Sequence, residues 1–137
     1  MPKTRKIEYF RKQLKVSAAG RELIAIVQQH GDEVLYLINK NRPTMICWQK
    51  NHGPKFIKSL IDSGYEEEDK LVKEIEGVKI ESLILQMAEV LQDFGSPELK
   101  MAIGKYTSTV LGMLRQTNSI REMIYRINNT QNAVQHG

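Results

Sequence analysis

Between residues 99 and 127 the sequence reads LKMAIGKYTSTVLGMLRQTNSIREMIYRI, and within it Leu99, Ile103, Tyr106, Val110, Met113, Thr117, Ile120, Ile124 and Ile127 stand alternately four and three residues apart. That alternation is the period of a helix laying one apolar stripe against another helix. Ser96 as cap, Pro97 in the first turn and Glu98 behind it form a start signal. The reading therefore predicts one long helix over residues 96–130. Just upstream, Ile80, Leu83, Ile84, Met87, Val90, Leu91 and Phe94 repeat at helical spacing before Gly95. The two segments together predict a long C-terminal helical hairpin.

Working toward the N-terminus, caps and glycines punctuate further short helices. The spacing predicts a helix from about Thr4 to Val16, then one capped by Ser17 and stopped by Gly31. A third restarts at Asp32 and ends near Asn41, because Pro43 disfavours helical geometry before it. Thr44 is a candidate cap for a helix carrying Met45, Ile46 and Trp48, and Pro54 suits the first turn of the next. The acidic run Glu66, Glu67, Glu68 and Asp69 reads as the start of a helix containing Leu71, Val72 and Ile75, with a break at Gly77. No alternating strand pattern competes. The expected fold is all-α, a single-domain bundle of about six to eight helices. Its expected parts are a basic short-helix half (1–64), acidic helices (65–95), the long C-terminal helix (96–130) and a frayed tail (131–137).

With 137 residues the chain is long enough to bury one core without metals or disulfides. Its net charge of +4 conceals a segregation: residues 1–60 carry a net +8, residues 61–100 a net −7 and residues 101–137 a net +3. A basic first half can attract a polyanion, complement the acidic middle or steer association between copies. A single cysteine, Cys47, points to a reducing compartment, and a cytoplasmic location is expected. The basic N-terminus leads into Ile7-Glu8-Tyr9-Phe10-Arg11-Lys12, which interrupts the apolar run a signal peptide needs. No segment is long and apolar enough to span a bilayer.

Three constellations invite a functional reading. Gly104, Ser108 and Gly112 recur every fourth residue, although a mid-helix glycine costs about 0.5–1 kcal/mol relative to alanine. Close approach of another backbone would offset that, from the Ile80–Phe94 helix or from a second subunit. With Tyr106, Val110 and Met113 beside them, these residues are the candidate protein interface. Second, Trp48, Lys50, Asn51 and His52 concentrate functional side chains in what reads as a loop, a candidate partner site. Cys47 near His52 lacks the third group and oxyanion site that a thiol enzyme needs, and too few ligands are near for structural zinc. Third, Arg5, Lys6, Arg11, Lys12 and Lys15 interleave with Tyr9 and Phe10, a pattern suited to phosphate contacts.

Two helices joined at Gly31 resemble the helix-turn-helix of DNA-binding proteins. Val27, His30 and Asp32 depart from that family's pattern, in which small and apolar residues flank the turn. Carboxylate–lysine pairs four apart, such as Glu66 with Lys70, read as solvated helix faces. No phosphate-cradling glycine motif occurs. The expected function is a non-enzymatic protein-interaction or regulatory protein without cofactor or metal, partnered by another protein or by itself. A basic nucleic-acid-binding module is the alternative, and no membrane role is expected.

Overall fold

The computed structural model describes the backbone of residues 3–62 and 70–136, with side chains placed over residues 8–62 and 70–129. Among the described residues the chain is all-α, with seven helices and one two-stranded sheet. The elements are α1 (Lys3–Leu14), α2 (Ala18–Lys40), α3 (Arg42–Lys50), α4 (Gly53–Asp62), β1 (Glu74–Ile75), β2 (Val78–Lys79), α5 (Ile80–Phe94), α6 (Pro97–Gln116) and α7 (Ile120–His136). Arg5 and Lys6 lie on α1 outside the described side chains, and Gly64 and residues 66–69 lie outside the described residues.

Several helix boundaries follow the capping residues. The Ser17 hydroxyl accepts from the Gly20 N–H (2.9 Å) and starts α2, and Ser96 accepts from the Leu99 N–H (3.2 Å) and starts α6. At Asn41, α2 ends and α3 begins. Its side chain, not that of Thr44, is the cap, accepting from the Thr44 N–H (3.1 Å) and hydroxyl (2.8 Å).

Elsewhere the backbone departs from the expectation. Helix α2 runs straight through Gly31, so the helix-turn-helix layout is absent from this segment. One glycine in a right-handed helix costs about 1 kcal/mol, less than terminating and renucleating a helix. The expected helix over Leu71–Ile75 is replaced by extended chain and a hairpin, with Glu74 opposite Lys79 and Ile75 opposite Val78. Both turn residues are left-handed, Glu76 at φ 49° and Gly77 at φ 82°, as a two-residue hairpin turn requires.

The long C-terminal rod is two helices, interrupted at residues 117–119. Thr117 is extended (φ −126°, ψ 151°) and fully buried, its hydroxyl donating to the Met113 carbonyl (2.7 Å). Ser119 accepts from the Glu122 N–H (3.0 Å), and Glu122 reaches back to the Asn118 N–H (3.0 Å). The Leu71 N–H donates to the Asn118 carbonyl (2.8 Å), which ties the extended segment to the α6–α7 connection. Helix continues to His136 where fraying was expected. Asn128 is part of the frame, accepting from the Ser17 hydroxyl (2.7 Å) and donating to the Gln13 carbonyl (3.0 Å).

Three apolar clusters make the core. Phe56, Leu83 and Met87 join α4 to α5; Leu37, Leu91 and Leu99 join α2 to α5 and α6; Leu71, Leu114 and Ile120 gather around the α6–α7 break. No described helix is long and apolar enough to cross a membrane.

Candidate functional site

Helices α2 and α6 run antiparallel and are pinned at two places by carboxylates of α2. Near the start of α6, Glu33 accepts from both the Ser96 N–H (2.6 Å) and the Ser96 hydroxyl (2.7 Å), which hold its carboxyl below the usual carboxylate range. Farther along, the Tyr106 hydroxyl donates to Glu22, with the Lys105 ammonium 3.9 Å from the same carboxylate and stacked over the Tyr106 ring. Lys105 is shifted upward by Tyr106 and Glu22. The pins are eleven residues apart on α2 and ten on α6, about 16 Å and 15 Å at 1.5 Å per residue.

Beside the pins lies an open apolar cleft of about 730 Å³. Val27, Val34, Leu35 and Ile38 of α2 form one wall. Ile57 and Leu60 of α4 with Leu71 and Val72 form another, and Leu83, Met87, Ala102 and Ile103 of α5 and α6 form the floor, with Val110 at the rim. The α6 stripe is therefore used differently from the expectation. Leu99 is packed at 2% exposure, whereas Ile103, Tyr106 and Val110 face the cleft and Val110 is 37% exposed. Val27 and Leu60 also border a second apolar hollow of about 530 Å³, walled by Phe10, Leu14, Ile120 and Ile124.

Openness and size decide what such a space means. The space is open to solvent, so it is a groove and not an enclosed void left by faulty packing. The volume falls within the roughly 300–1,000 Å³ usual for ligand pockets. Among the described residues its lining holds no Lys, Arg, Asp or Glu. The hydroxyls that reach it are engaged within the protein: Ser59 donates to the Phe56 carbonyl (2.8 Å), Thr107 to the Ile103 carbonyl (2.7 Å) and Tyr106 to Glu22. His30 differs. It lines the cleft at 9% exposure and makes no hydrogen bond among the described residues, its electrostatic neighbour being Glu33 one turn on.

The other sequence-derived candidates lie apart from one another. Gly104 and Ser108 sit on the exposed outer face of α6. A Cβ at Gly104 would meet only Gln92 Nε2 at 3.8 Å, and one at Gly112 nothing within 4 Å, so among the described residues no backbone closes over that stripe. Gly112 and Met113 border the open elbow between α6 and α7 with Gln116 and Tyr125. Trp48 and Lys50 belong to α3, and Asn51 and His52 are the tight turn before α4. Trp48 packs with the Phe56 cluster and also reaches the cleft. Asn51 is buried, donating to the Cys47 carbonyl (2.9 Å) and to Gln86 Oε1 (3.0 Å). His52 is left-handed (φ 58°), its Nε2 3.4 Å from Glu76, while Lys50 is exposed. Burial pushes the Cys47 thiol up, away from the thiolate a nucleophile needs. Arg11, Lys12 and Lys15 are exposed on and after α1. Lys55, also of the basic half, pairs with Glu76 of the acidic segment at 2.7 Å.

Sequence reasoning passed over the cleft, because its walls come from helices distant along the chain. The nearest signal is His30 on the apolar side of α2, four residues before Val34. The chain matches no protein-family model, no curated protein and no solved structure.

Proposed function

We propose that this chain is a non-enzymatic binding protein of the interaction or regulatory type, whose working surface is the apolar cleft beneath α2. The observation that carries this reading is the cleft itself: about 730 Å³ bordered, among the described residues, by uncharged side chains, with Glu22–Tyr106 and Glu33–Ser96 bonds between α2 and α6 beside it. Exposed contiguous apolar surface of this kind marks a place where something else is bound. The raised thiol of Cys47 weighs against nucleophilic chemistry, and an unpaired cysteine suits a cytoplasmic setting.

A neutral solvatochromic dye tests the reading. The native protein is expected to bind it saturably at one site, and Ala102→Trp, which fills the floor of the cleft, is expected to abolish binding while preserving the melting transition. Absence of saturable binding to the wild type would remove the cleft from the function.

A second reading rests on the exposed Arg11, Lys12 and Lys15, which leave α1 able to lie against phosphates. Binding to mixed-sequence RNA or DNA that falls steeply with salt, and falls again on replacing these three by alanine, would support it. No binding at low salt ends it.

A further inference from the structure

The cleft has one buried polar side chain without a hydrogen bond among the described residues, and that group constrains what the cleft can hold. Buried donors and acceptors are nearly always satisfied, so an imidazole in this state marks the place of a missing partner. The partner's charge is constrained as well. The described lining carries no Lys, Arg, Asp or Glu, and the nearby Glu33 carboxylate is engaged by the Ser96 N–H and hydroxyl. An anionic head would have only one imidazole to meet it, and an ammonium would find no carboxylate among the described lining residues. A neutral hydroxyl meets neither obstacle.

We propose that the cleft takes an uncharged single-chain amphiphile, with its apolar body against α2, α4, α5 and α6 and its hydroxyl head on His30. This rests on the cleft being a binding site and adds the class of its ligand.

Trp48, the single tryptophan, borders the cleft and reports occupancy by its emission. The purified full chain is titrated with decanol, decanoic acid at neutral pH and decane. Decanol is expected to give a saturable change at concentrations about tenfold lower than either of the others, in keeping with one added hydrogen bond to an otherwise unsatisfied group. His30→Leu is expected to abolish the preference for alcohol over alkane, and His30→Gln, which keeps a donor and an acceptor, to retain it. Should His30→Leu fail to fold, the ring signals of His30 in the unaltered protein, followed by NMR, are expected to move with decanol and not with decane.

Equal affinity for decanol and decane, or a preference that survives His30→Leu, would overturn the head-group assignment. Tightest binding of decanoic acid would overturn the uncharged class. Binding of none of the three refutes the proposal, and the neutral dye then tells whether the cleft itself fails with it.

Discussion

The two sides of α5 are built from similar residues and finished differently. On the α3–α4 side, Phe56 is packed at 3% exposure against Leu83 and Met87, which it shares with the inner end of the cleft, and the buried polar groups are answered: Asn51 by Gln86 and Cys47, Thr44 by Asn41. Toward α2 and α6, Val27, Leu35 and Val110 stay half-open to solvent around a space no described side chain fills, and the His30 side chain makes no hydrogen bond among the described residues. The first region shows close packing with satisfied polar groups, which is what stability asks of a core. The second forgoes that packing, which is intelligible where a surface is kept for binding.

Substitutions on the two sides put this contrast to the test. The largest effect is expected at Phe56. Truncation to alanine removes a ring from the packed side and should lower unfolding free energy by about 3–5 kcal/mol in a denaturant titration, whereas Val110→Ala at the rim of the cleft should stay below about 1 kcal/mol. Similar losses at both positions would erase the distinction between the two sides. Glycine substitutions are next. A Cβ at Gly53 would fall 2.2 Å from the Trp48 ring, so Gly53→Ala should destabilise by about 1–3 kcal/mol. Gly31 borders the cleft with nothing within 4 Å of the same position, and Gly31→Ala should stabilise α2 by about 0.5–1 kcal/mol. Opposite signs in thermal melting are the check.

The smallest effect concerns acid. Because Ser96 depresses the Glu33 carboxyl, the contact adds stability above the unfolded value of about 4.3 and loses it as pH falls through the lower folded value. Wild type should therefore weaken from about pH 5 downward more steeply than Glu33→Gln. Parallel curves would remove Glu33 as an ionised pin.

Much of the helical frame was legible because it is written locally. Ser17, Asn41 with Pro43, Gly77 and the Ser96-Pro97 pair each mark a boundary or turn that the backbone follows. The break at residues 117–119 was hidden by Thr117, which continues the four-and-three spacing while its backbone is extended, although Ser119 and Glu122 carry the three-residue spacing of a capping box. At Leu71–Ile75 the apolar spacing suits either a helical face or a short strand. The tight turn at Glu76-Gly77 and the bond from Leu71 to Asn118 lie with the strand, and the second of these is a tertiary contact that no local pattern contains. The cleft was out of reach for the same reason. Spacing reports that Ile103, Tyr106 and Val110 share a face, but not whether that face meets a neighbour or a gap.

The carboxylate pins have a further consequence. Along this stretch, α2 and α6 are bridged by the Glu22 and Glu33 side chains, which reach Tyr106 and Ser96 across the cleft's edge. Aspartate at both positions, one methylene shorter, would draw the two rods toward each other without altering any lining residue. The width of the gap is thus a dial that evolution, or an experimenter, can turn independently of its chemistry.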